Sequence, residues 1–140
     1  MPIEESMPEA SKSEAPALRF LVVDDEPLVR EMLNDILIDL NYDVVGQAND
    51  GASAIEKAAQ LKPDVICLDI NMPEVSGLDA LASIKTSNKD IVVIMVTANN
   101  DTSTVQQAIR TGADGYILKP FNAQQIVKAV DRALAKHKRL

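Results

Sequence analysis

Five short apolar runs, at residues 20–23, 44–45, 65–68, 91–96 and 116–118, alternate with five stretches whose apolar residues recur every three or four positions. Three runs are continuous and rich in Val and Ile, as strands buried on both faces should be. The second is diluted by Gly46 and Gln47 and reads as an edge strand. The intervening stripes have helical spacing: Val29, Met32, Leu33, Ile36, Leu37 and Leu40, then Ala54, Ile55, Ala58 and Leu61 after an Asn49-Asp50-Gly51 turn. Leu78, Leu81 and Ile84 form a third. Val105, Ala108 and Ile109 form a weaker fourth, closed by Gly112. Ile126, Val127, Val130, Ala133 and Leu134 form the fifth. Strand starts near Arg19, Asp43, Asp64, Ile91 and Gly115 lie 21 to 27 residues apart. Five such βα units predict an α/β fold, a five-stranded parallel sheet flanked by helices on both faces. Ligands in these sheets bind beyond the carboxyl ends of the strands.

Residues 1–17 are rich in Pro, Ser and Glu and lack any apolar period. They are expected to form a disordered acidic tail, leaving residues 18–140 as one domain. A chain of 140 residues can bury roughly two thirds of its unfolded surface, enough for a substantial core. No apolar run is long enough to span a membrane, and the N-terminus lacks a signal-peptide core, so a cytoplasmic location away from membranes is expected. The single cysteine, Cys67, excludes an internal disulfide framework and reads as inert core. Of the net charge of −7, the tail carries −3 and the remainder −4. An acidic body argues against direct nucleic-acid binding, which needs clustered Lys and Arg. The one basic cluster, Lys136, His137, Lys138 and Arg139, closes the last helix, where cations meet the helix dipole favourably.

The strand ends carry the chemistry. The first ends in Asp24-Asp25-Glu26, the third in Asp69, the fourth in Thr97-Ala98 and the fifth in Lys119-Pro120. Taken singly, each has an ordinary role. Asp24 or Asp25 can cap the helix that Pro27 begins, Asp69 can cap a turn, Thr97 suits a strand, and Lys119 suits a solvated surface. Together they converge at one sheet edge. Asp24, Asp25 and Asp69 sum to −3, and such a cluster repels itself unless compensated. Mg²⁺ and Lys119 would supply +3, and Mg²⁺ prefers carboxylate, carbonyl and water oxygens. With no His cluster and no second Cys, zinc is disfavoured. A carboxylate can act as nucleophile towards phosphorus, and positioning with charge neutralisation drives such transfers. Lys119 and the Thr97 hydroxyl could each hold a phosphoryl oxygen, with the small Ala98 leaving room.

These residues closely resemble the receiver domain of two-component response regulators. The motifs are Asp24-Asp25 after an apolar strand, Asp69-Ile70-Asn71-Met72-Pro73 with Gly77, Thr97-Ala98, and Lys119-Pro120-Phe121. The likeness spans residues 18–138. It implies a flavodoxin-like strand order, 2-1-3-4-5. It implies Asp69 as phosphoacceptor, Asp24 and Asp25 as the Mg²⁺-binding pair, and the Asn71 backbone carbonyl as a further metal ligand. Thr97 and Lys119 match residues that couple phosphorylation to a change of shape, and Tyr116 matches an aromatic switch that turns inward. Asn71 and Asn99 stand where the family tunes phosphoryl lifetime. The implied donor is a histidine kinase or histidine phosphotransfer protein. The implied output face is helix four, strand five and helix five. Only one helix follows Lys119-Pro120, so output is expected through another protein, phosphorylation-dependent dimerisation or onward phosphotransfer.

Two other readings compete. A haloacid-dehalogenase-like phosphatase places an Asp two residues after its nucleophile, but Asn71 stands there and cannot protonate a leaving group. A flavin or nucleotide module needs a phosphate cradle after the first strand, where Asp24-Asp25-Glu26 would repel phosphate unless metal were bound. His137 as a phosphodonor would need a kinase or transfer domain around it.

Overall fold

In the computed structural model, which describes residues 17–138, the apolar runs form strands β1 (Arg19–Val23), β2 (Asp43–Ala48), β3 (Val65–Leu68), β4 (Val92–Thr97) and β5 (Gly115–Leu118). The stripes form helices α1 (Pro27–Asp39), α2 (Gly51–Leu61), α3 (Gly77–Ser87), α4 (Thr102–Thr111) and α5 (Ala123–Lys138). All strand pairs are parallel, in the order β2-β1-β3-β4-β5. The expected order and the edge position of the diluted second strand both hold. The expected tail lies outside the described residues except for Ala17, and so does Arg139 of the basic cluster.

Alternation along the strands divides the core in two. Phe20, Val22, Val65, Cys67, Val92, Ile94 and Val96 face one way, against Leu33 and Leu37 of α1 and Ile126, Val130 and Ala133 of α5. Leu21, Val23, Ile66, Leu68, Val93 and Met95 face the other, against α2, α3 and α4 through Ala54, Ala58, Ala80, Leu81, Ile84 and Ala108. β3 and β4 are buried along their whole length, which explains their unbroken apolar runs. Cys67 lies within this core, and burial pushes its thiol up to about 12, leaving almost no thiolate at neutral pH.

Two helix starts differ from the sequence reading. Asn49-Asp50-Gly51 is a cap instead of a separate turn: the Asp50 carboxylate accepts from Ser53 N at 2.7 Å and α2 begins at Gly51. Neither Asp24 nor Asp25 occupies the N-cap of α1. Glu26 does, without a side-chain cap bond, and Pro27 opens the helix as expected. At the other end of α4, Gly112 takes φ 116°, a left-handed C-cap that suits glycine.

Candidate functional site at the carboxyl edge of the sheet

Four of the five strands each deliver a charged or polar group to the same edge. Asp24 follows β1 and is fully buried. Asp69 follows β3 and is 4 % exposed. Thr97 ends β4, fully buried, and Lys119 follows β5 at the cis peptide to Pro120. Asp25, Glu26, Asp69, Asn71, Ala98 and Lys119 line one cleft, with Asp24 behind them. One carboxylate oxygen from each of Asp24, Asp25 and Asp69 lies within 4.8 Å of the others.

Lys119 balances part of this charge. Its Nζ is 2.8 Å from Asp24 Oδ2 and 3.5 Å from both Asp69 Oδ2 and Glu26 Oε1. The contact with Asp24 is close but poorly aligned, so Asp24 Oδ2 is buried with an ion-pair partner and no well-formed hydrogen bond among the described residues. Asp24 Oδ1 is saturated differently, accepting from Glu26 N at 2.9 Å. Burial of the Lys119 ammonium pulls its pKa down, but pairing with Asp24 and the charges of Asp69 and Glu26 outweigh that, and the net shift is upward. Asp69 is also shifted upward. Burial is the main cause and the charge of Asp24 adds to it, against hydrogen bonding from Thr97, the Lys119 charge and the Ile70 amide. The folded protein thus resists ionising Asp69 while holding three carboxylates around it.

An oxygen-only donor set with an under-bonded buried carboxylate oxygen is what a hard divalent cation takes. The residues present fit Mg²⁺. Gly77 explains its own place in the motif: an added Cβ would lie 1.9 Å from the Asp69 backbone oxygen, so α3 can begin against the site only with glycine there.

Thr97 and Tyr116, expected to couple the site to the surface, are linked through the loop after β4. Asn99 N donates to Thr97 Oγ1 at 3.3 Å, and the Tyr116 hydroxyl donates to the Asn99 carbonyl at 2.6 Å. Tyr116 is half-buried and packs against the α2–α4 core. Its phenol is shifted upward by burial and then by the charges of Asp69 and Asp101. The structure therefore brings together Asp24, Asp25, Asp69, Asn71, Thr97 and Lys119, with Tyr116 one loop away. His137 stands apart, on the Asp114 carboxylate at 2.9 Å. Sequence reasoning assigned no role to two neighbours of the site. Glu26 adds a third carboxylate facing Lys119, after Asp24 and Asp69. Arg30, four residues on along α1, donates to the Asp24 backbone carbonyl at 2.7 Å.

The family model for the response regulator receiver domain matches residues 20–131. The chemotaxis protein CheY of Listeria monocytogenes is 40 % identical over 116 residues, which span 83 % of this chain and 98 % of that one. Among solved structures, the Vibrio cholerae chemotaxis protein CheY4 is similar with a TM-score of 0.78 and 31 % identity, covering 84 % of this chain and 98 % of the other. CheY in the CheX–CheY–BeF₃–Mg²⁺ complex from Borrelia burgdorferi is similar with a TM-score of 0.81 and 26 % identity, over 85 % and 90 %.

Proposed function

The chain belongs to the response regulator receiver domain family, and within that signalling family we propose that it is a switch thrown by phosphorylation of Asp69. The observation that carries this reading is the placement of Asp69 at the end of the central strand β3. Its carboxylate is buried, 3.5 Å from Lys119, and grouped with those of Asp24 and Asp25.

Asp24, Asp25, Asp69 and the Asn71 backbone carbonyl would hold Mg²⁺, which when bound neutralises charge that builds up on the transferring group. An Asp69 carboxylate oxygen attacks the phosphorus of a partner's phosphohistidine. A P–O bond forms as the P–N bond breaks. The electron pair of that bond goes to the imidazole, which takes a proton from solvent. Lys119 and the Thr97 hydroxyl hold phosphoryl oxygens, and the small Ala98 keeps the cleft open. A donor histidine kinase or histidine phosphotransfer protein is inferred from this chemistry.

The readout runs through the loop after β4. Drawing Thr97 towards the phosphoryl group shifts Asn99, and with it the Tyr116 hydroxyl. The face of α4, β5 and α5 responds. It already exposes Ile109 by 58 % and Leu118 by 43 %, apolar surface suited to an output partner or a second receiver.

The test is intact-protein mass after incubation with acetyl phosphate or a phosphorylated histidine phosphotransfer protein, with Mg²⁺ or EDTA. One phosphoryl gain is expected, requiring both Mg²⁺ and Asp69 and absent in Asp69→Asn. Phosphorylation of Asp69→Asn, or no gain from either donor, would overturn the proposal.

A further inference from the structure

We infer that Arg30 is a positioning residue for the acidic pair, fixing the Asp24 carboxylate for metal by holding the Asp24 backbone carbonyl. The inference rests on the Mg²⁺ reading above and concerns a residue outside the cleft.

β1 ends at Val23, so the backbone groups of Asp24 lie at the limit of the sheet ladder and need partners there. Asp24 N donates to Ala48 O at 3.1 Å, and the Asp24 carbonyl accepts from Arg30 Nη1 at 2.7 Å. A guanidinium bond of that length is of the strong, charge-assisted kind. Arg30 is placed to make it by the first turn of α1, where its own amide donates to Glu26 O at 3.2 Å. The side chain thus reaches back over the loop it follows. No side chain caps α1 at Glu26, and the Arg30 bond adds a side-chain tie between helix and loop to the backbone bonds there.

The result is a residue gripped at three points. Asp24 is held at N by Ala48, at O by Arg30 and at Oδ1 by the Glu26 amide. Oδ2 has only the Lys119 ammonium at 2.8 Å and no well-formed hydrogen bond among the described residues, and one Asp24 oxygen lies within 4.8 Å of the Asp25 and Asp69 carboxylates. Among the described residues no carboxylate lies within ion-pair distance of Arg30. It lines a polar hollow with Gln47, Asn49, Ser53 and Lys57 on the far side of the loop. Its charge is therefore not spent on the acidic cluster, and its geometry is what the cluster uses.

Charge and geometry predict opposite signs. As a nearby positive charge, Arg30 would repel a divalent cation, and its removal would tighten Mg²⁺ binding. As a positioning residue, its removal loosens Asp24 and weakens binding. Groups that orient metal ligands cost about tenfold in affinity or more when lost.

The experiment is a calorimetric Mg²⁺ titration of the metal-free full chain, for wild type, Arg30→Met and Arg30→Lys. Thermal unfolding in EDTA is measured alongside. Arg30→Met is expected to weaken Mg²⁺ by about tenfold, and Arg30→Lys, which keeps a donor and the charge, to recover most of it. If Arg30→Met unfolds too readily to titrate, Arg30→Gln carries the same comparison. Equal or tighter Mg²⁺ binding in the uncharged variants, with only a lowered unfolding temperature, would overturn the inference and leave a purely structural tie. Failure of the wild type to bind Mg²⁺ would instead sink the metal reading, and the inference with it.

Discussion

The two ends of the sheet each bury a carboxylate against a lysine, and the two pairs are built on opposite principles. At the amino ends of the strands, Asp114 Oδ2 accepts from Lys85 Nζ at 2.8 Å and from Val93 N at 2.9 Å, while Oδ1 meets His137 Nε2 at 2.9 Å. Lys85 is completed by the Ile91 carbonyl at 2.6 Å. One carboxylate thereby ties α3, β4 and α5 together with both of its oxygens partnered. At the carboxyl ends, one lysine faces Asp24, Asp69 and Glu26, and a buried oxygen of Asp24 lacks a well-formed hydrogen bond. A pair whose members are each fully partnered is weakened when one member is removed. An over-charged, under-bonded cluster is improved by adding a cation or removing a charge. The difference marks the carboxyl-edge cluster as the candidate functional site and the amino-end network as structural, without appeal to the fold.

The contrast is tested hardest at the structural end. Asp114→Ala removes the hub and leaves Lys85 and the Val93 amide short of partners in a largely closed site. Breaking one side of a buried pair typically costs about 3 kcal/mol or more, so a loss of that order is expected in chemical denaturation. A double variant with Lys85→Met should recover part of it, because the stranded charge is gone. A loss below about 1 kcal/mol would mean that the amino-end network is not the structural anchor described.

At the site the sign reverses. Because the folded-state pKa of Asp69 is raised, the native chain binds its proton more tightly than the unfolded chain. Metal-free stability is therefore lost as pH rises from the unfolded value of about 3.9 through the folded one, and the cost persists above it. Asp69→Asn should be more stable than wild type in EDTA at pH 7, by about 1 kcal/mol. The gap should close below about pH 4, where the wild-type carboxyl is protonated. The raised Lys119 pKa gives a pH slope of the same sign, but it acts only at strongly alkaline pH and does not disturb this window. Saturating Mg²⁺ should then stabilise wild type more than the variant, as seen by thermal unfolding with and without the ion. A destabilised Asp69→Asn would put the site in the same class as Asp114.

How much of this was written in the sequence depends on whether a feature is local. Strand and helix positions were legible because β3 and β4 are buried on both faces and the helices on one, which leaves periodic signatures in the residue order. The acidic site was legible because strand ends in a parallel sheet share an edge, so Asp24, Asp69, Thr97 and Lys119 could be placed together by counting strands. Contacts that depend on how a long side chain lies were not. Nothing in the pattern says that Arg30 turns back to Asp24 while Lys57 bonds the Gln47 carbonyl. Nor does it say that His137, which reads as one cation in a basic helix end, lies on Asp114. The tight start of α3 was flagged only as a motif glycine, and its reason, contact with the Asp69 backbone, is tertiary.

The smallest expected effect bears on whether the two ends are independent. Tyr116 lies in β5, the strand that Asp114 precedes, yet its hydroxyl belongs to the site through the Asn99 carbonyl. Tyr116→Phe removes that one bond and keeps the ring. A net loss of about 0.5–1 kcal/mol is expected, at the low end because Asn99 is only half-buried and water can replace the donor. Amide chemical shifts should move for Asn99 and its neighbours, since Asn99 N donates to Thr97 Oγ1 and its side chain accepts from Asp101 N at 3.0 Å. Shifts at Val93 and Asp114 should stay put, because their side-chain bonds close among themselves, Lys85 and His137 at the far end of the strands. If those amides move as well, the strand passes strain from one end to the other, and the amino-end network would have to be counted as part of the proposed switch.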